Sequence, residues 1–157
     1  MKKKILALFL VLSLLFGLCS CNLIWGDVAE EGDVTVVVEA ADGSFEVYKT
    51  YLESVTNKTE GAKGVVEHLN TREENSLYLE MTDSTYGAYV SAIGSIKEDF
   101  TAKKYVIVYT SVASDSYEGA PTFDYEGTTL YQAGVGLSSM NVESGTIVLF
   151  RLEVSPY

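Results

Sequence analysis

Hydrophobic and polar positions along this chain fall into three patterns. The first is an apolar run, Ile5 to Leu18, interrupted only by Ser13 and Gly17. The second is a series of short segments rich in β-branched and aromatic residues. The third is one stretch, Gly61 to Asn70, in which Ala62, Val65, Val66 and Leu69 recur at i, i+3, i+4 and i+7, which places them on one stripe of a helix. Thr59 stands where an N-cap would sit. Gly61 and Gly64 weaken a helix, so this one depends on packing.

The strand-like segments follow in order. Val34 to Glu39 and Phe45 to Leu52 flank Asp42-Gly43, a tight hairpin signal. Leu77 to Met81 is a short strand, Asp83-Ser-Thr a turn, and Tyr86 to Ile93 another strand ending at Gly94. Tyr105-Val-Ile-Val-Tyr109 has no polar face and belongs in the centre of a sheet. Ser111 to Gly127 is long, polar and tyrosine-bearing, and reads as an exposed functional loop. Thr128 to Tyr131 is extended. Thr146 to Val154 closes the chain, with Val148, Phe150, Leu152 and Val154 facing a core. One short helix among seven or eight strands predicts an α+β domain, largely antiparallel, with the helix packed on one sheet face.

The apolar run has a different fate. It covers about 14 residues, too few for a membrane-spanning helix of about 20. Lys2, Lys3 and Lys4 precede it and Leu18-Cys19-Ser20-Cys21 follows, the layout of a bacterial lipoprotein signal peptide. The expectation is that residues 1–20 are removed and that Cys21 becomes a lipidated N-terminus. Residues 21–33 then form a tether, and 34–157 a single domain on the extracytoplasmic face of the cell membrane. Modification with at least two acyl chains, palmitate among them, gives stable attachment where one chain would not. Leu23, Ile24 and Trp25 could rest in the bilayer interface or pack on the domain.

Composition narrows the partners. Losing three lysines with the leader takes the net charge from −11 to −14. Such a surface repels phosphate backbones, which excludes nucleic acid. With Cys19 removed and Cys21 blocked, no thiol or disulfide remains in the domain. His68 is the single histidine and cannot build a multi-histidine metal site. No Gly-x-Ser-x-Gly elbow is present, and Gly134-Val-Gly136 lacks the third glycine of a nucleotide loop. The chain therefore reads as non-enzymatic. Its tyrosines, 11 in all, are the remaining candidates, because rings with hydroxyl tips suit flat ligands and protein partners. Tyr86, Tyr89, Tyr117, Tyr125 and Tyr131 form the candidate ligand-binding set, while Tyr105 and Tyr109 read as core.

Several pieces occur in a set order: the opening hairpin, Gly64-Val-Val-Glu-His-Leu69, Tyr86 to Ile93, Lys104 to Thr110, Ala133-Gly-Val-Gly136 and Val142 to Arg151. Over about residues 33 to 154 this order resembles a bacterial domain family of unknown function related to the C-terminal domain of transcobalamin. The chain departs from that family by lacking a Trp-rich stretch at Tyr105 to Tyr109 and by carrying the long segment 111–127 in place of a short Asn-Gly turn. The resemblance implies a β-grasp-like sheet, and it raises cobalamin or another corrinoid as ligand. Two functions follow as expectations: a membrane-anchored lipoprotein binding a corrinoid or other small molecule, or a surface module contacting an envelope or host partner.

Overall fold

The computed structural model describes residues 31–85 and 87–154. The leader, Cys21 and most of the tether lie outside the described residues, as does Tyr86. Nine strands and one α-helix follow in chain order: β1 (Val34–Glu39), β2 (Phe45–Thr50), α1 (Gly61–Asn70), β3 (Leu79–Ser84), β4 (Gly87–Ile93), β5 (Ile96–Lys97), β6 (Lys104–Thr110), β7 (Thr122–Tyr125), β8 (Thr128–Gln132) and β9 (Ile147–Val154).

Two sheets form. The larger has six strands in the order β2-β1-β9-β6-β8-β7, and the smaller has β3-β4-β5. All pairings are antiparallel except β1 with β9, which run parallel in the middle of the large sheet. The apolar strand around Tyr105 to Tyr109 is central, as its composition predicts.

Because side chains alternate across a strand, the large sheet has two distinct faces. Val34, Val36, Val38, Val106, Val148 and Phe150 point to one, where Ala62, Val65, Val66 and Leu69 of α1 and Ala88, Val90, Ile93 and Ile96 of the small sheet cover them. Val37, Tyr109, Tyr125, Leu130 and Leu149 point to the other and form a second core. The sheet curls around this second core. Phe45 on β2 packs edge-on against Phe123 at 6.4 Å and Tyr125 at 5.1 Å on β7, so rings from the two opposite edges of the sheet touch. The result is a half-barrel whose hollow is filled by its own aromatic side chains.

Several sequence expectations change. Thr59 does not cap α1: it lies in a 3-10 turn, Lys58–Glu60, and Glu60 holds the cap position with no side-chain bond. Strand β3 runs later than expected, taking in Asp83 and Ser84, because Asp83 pairs with Ala88 across the hairpin. Segment 111–127 is not a free loop. It contains a 3-10 turn, Ala113–Asp115, and strand β7. Asp115 is buried and accepts hydrogen bonds from the backbone N–H of Asn141 at 2.7 Å and from its side-chain amide. Paired buried carboxylates of this kind fix a loop, since leaving one unpaired is costly. Val154 is 64% exposed, because the last residue of β9 runs past the core, and Leu149 is buried on the opposite face of the strand.

Candidate functional surface

The small sheet packs its inner face on the large one, which leaves its outer face to solvent. Register decides what that face carries. Glu80 pairs with Ala92, Ala92 with Lys97, and Thr82 with Tyr89, with a bulge after Glu80. Their neighbours Leu79, Met81, Val90 and Ile93 point into the core. Outward rows of Glu80 and Lys97, with the fully buried Ala92 beneath them, and of Thr82 and Tyr89, are the consequence.

Carboxylates fix this surface. Tyr78 donates its hydroxyl to Glu80, and Lys97 Nζ sits 3.0 Å from both Glu80 oxygens, spanning Ala92. The Tyr78 bond and then Lys97 hold the Glu80 carboxyl below its ordinary pKa. The Glu80 bond raises the Tyr78 phenol, and Glu80 also raises the Lys97 ammonium. Tyr89 donates its hydroxyl to Glu98, whose other oxygen accepts the backbone N–H of Val106 on β6 at 3.2 Å. Partial burial, and then this bond, push the Tyr89 phenol up to about 12.

Next to Tyr89 the chain turns from β5 into β6. Asp99 Oδ1 accepts the N–H groups of Thr101 and Ala102 at 2.9 and 3.0 Å, and Asp99 pairs with Lys104 through both backbone bonds. Lys103 takes φ +53° to complete the turn, a left-handed conformation uncommon outside glycine. This rigid tip displays Phe100, 67% exposed, edge-on to Tyr105 at 5.9 Å. Lys103 and Lys104 are exposed there and form no ion pair among the described residues.

The five tyrosines singled out from the sequence do not converge. Tyr86 lies outside the described residues. Tyr89 is on the outer face just described. Tyr117 is exposed on the turn after β6, with its hydroxyl donated to Gln132 Oε1 at 3.1 Å. Tyr125 is buried in the hollow against Phe45. Tyr131 lies opposite Thr110 and Thr122, on the sheet face away from Tyr125. Tyr109 is buried as expected, but Tyr105 is half-buried and belongs to the surface patch. Sequence reasoning missed Tyr78, Phe100, Glu80, Lys97 and Glu98. The period-2 spacing of Tyr78, Glu80 and Thr82 was the available signal.

His68 stands on α1 beside a cleft of about 370 Å³ that Asn57 and Glu67 also line. Burial, and then Arg72, lower its pKa. Among the described residues no cluster of three or more His, Cys, Asp or Glu side chains could hold a metal ion.

No protein-family model matches the chain, and no curated protein matches it. Solved structures do. A protein from Ruminococcus gnavus ATCC 29149, provisionally described as metal binding, superposes with a TM-score of 0.55 at 14% identity, covering 80% of this chain and 99% of that one. Haptocorrin in complex with Cbi superposes with a TM-score of 0.50 at 13% identity, over 77% of this chain and 24% of haptocorrin. At such identities the likeness concerns the fold: a mixed α+β domain shared with a segment of haptocorrin.

Proposed function

We propose that this chain is a non-catalytic ligand-binding lipoprotein that takes a corrinoid on the outer face of its small sheet. The observation that carries this reading is the set of exposed aromatic rings, Tyr78 and Tyr89 bonded to carboxylates on that face and Phe100 on the adjoining β5–β6 turn, in a fold shared with a protein solved with cobinamide. Tyrosines whose hydroxyls are already bonded lose little freedom on binding. The ligand chemistry suits the surface. Cobinamide is a cation fringed with amide arms, and the chain carries a net charge of −11. Glu80 and Glu98 can accept N–H groups from such arms. The β2-β1-β9-β6 core, with α1 following the first hairpin and a parallel β1–β9 pair, supports a β-grasp-like description.

The anchor belongs to the same reading. Lipid on Cys21 would hold the domain on the extracytoplasmic side of the cell membrane. Labelled palmitate should enter the wild-type chain in cells and not the Cys21→Ala variant. For the ligand, cobinamide is titrated into the purified chain and its absorption followed. Saturable binding that weakens at least tenfold in Tyr89→Ala and Phe100→Ala is expected. Absence of binding at high micromolar cobinamide removes the corrinoid.

An envelope partner is the second reading. It is favoured by Tyr117 and Val135, exposed at the opposite end of β6. Retention of an envelope protein by wild type and not by Tyr117→Ala, with no cobinamide binding, would select it.

A further inference from the structure

Small-molecule sites bury about 70–90% of their ligand. The outer face of the small sheet and the turn beside it do not: Tyr78, Tyr89 and Phe100 are 53%, 44% and 67% exposed. A disc-shaped macrocycle laid on these rings keeps its far side in water. The stretch of haptocorrin that this chain matches is 24% of that protein, so most of haptocorrin has no counterpart in this match.

Resting on the corrinoid reading, we propose that a second copy of this chain supplies the opposite wall, so that one ligand is held between two outer faces related by a twofold axis. Charge on the face is self-complementary, as an isologous contact requires. Lys97, Lys103 and Lys104 lie at the β5–β6 end, and Glu80, Glu98 and Asp99 lie among them. The twofold sets the lysines of one copy toward the carboxylates of the other. The aromatic rings of both copies then cover the two sides of the macrocycle.

Net charge decides when the pair forms. Each chain carries −11, so two copies without ligand repel one another at any separation within the Debye length, about 8 Å at physiological salt. A cationic ligand at the contact offsets part of that repulsion, and added salt screens the rest. Pairing is therefore ligand-dependent.

Native mass spectrometry of the purified full-length chain, with and without cobinamide, tests this, and calorimetry supplies the molar ratio. The expected species is two chains with one cobinamide, at a ratio of one ligand to two chains. Phe100→Ala should lose this species, and Lys103→Glu/Lys104→Glu, shown folded by circular dichroism, should reduce its population at least tenfold. A saturable complex of one chain with one cobinamide overturns the paired arrangement while leaving the corrinoid reading intact. No complex of either composition overturns both. A ligand-free pair whose population ignores cobinamide overturns it too, because the ligand would then lie outside the contact.

Discussion

The two sheets use the same residue pair in opposite ways. In the hollow of the large sheet Tyr109 is buried and donates to Glu153 at 2.7 Å. On the outer face of the small sheet Tyr89 is 44% exposed and donates to Glu98. In the hollow the ring is surrounded by Val37, Leu130 and Leu149, with Phe123 at 6.2 Å. Arg151 stacks over Phe123 at 4.6 Å and pairs with Glu39 at 3.0 Å. There the polar groups complete a core, and burial decides their worth. On the small sheet the carboxylates bond rings that stay partly exposed to solvent. A tyrosine–glutamate pair thus completes a core in one region and, in the other, fixes a ring that solvent still reaches; only the second can meet the ligand proposed above.

Truncation separates the two most sharply. Tyr109→Ala removes a buried ring and its hydrogen bond to Glu153, which keeps only Arg151 at 3.6 Å, and it should cost about 3–5 kcal/mol, read from urea or guanidinium unfolding. A cost below about 1 kcal/mol would mean that the hollow is not a core.

Arg151→Ala tests the charged end of the hollow. Glu39 Oε2 and Arg151 Nε are both shielded from water and make no well-aligned hydrogen bond to each other, although they lie within ion-pair distance. Attraction between the charges therefore carries that contact. Its loss strands Glu39 and should destabilise by about 1–3 kcal/mol, moderated because both side chains keep some solvent access. Adding Glu39→Gln should restore part of the loss, since the stranded group is then neutral.

Alkaline pH gives a finer contrast. Burial, and then Glu153, raise the Tyr109 phenol above its ordinary value of 10, and partial burial, then Glu98, push the Tyr89 phenol up to about 12. For each phenol the folded-state pKa lies above the unfolded one. Its contribution to stability is complete below pH 10 and is lost as pH climbs through the folded value. Unfolding free energy should decline above pH 10, and Tyr109→Phe should flatten the decline more than Tyr89→Phe. Equal slopes for the two variants would erase the distinction between buried and exposed pairs.

The smallest expected stability effect sharpens the functional half. Phe100→Ala should change unfolding by no more than about 0.5 kcal/mol while weakening cobinamide at least tenfold. Substantial destabilisation would make Phe100 part of the fold rather than of a contact surface.

Much of the fold was legible along the chain. The stripe Ala62, Val65, Val66 and Leu69 marked a helix and its buried face, because the α-helical period repeats within a few residues. Runs such as Val34 to Glu39 and Tyr105 to Tyr109 marked strands, and Asp42-Gly43 marked the hairpin between the first two. These signals depend on neighbours close in sequence, which is why they survive without a structure. The candidate surface was legible only at Tyr89. Tyr105 carried a core signature, and Tyr125 looked like a loop residue although it is buried.

What joins those residues is long-range. The parallel pairing of β1 with β9 and the contact of Phe45 with Tyr125 across the curl link positions that local periodicity cannot relate. The sequence alone determined the helix, most strands, the acidic surface and the chemistry available. Tertiary structure decided which tyrosines face inward and which face out, because that depends on which strand lies beside which and on how far the sheet curls.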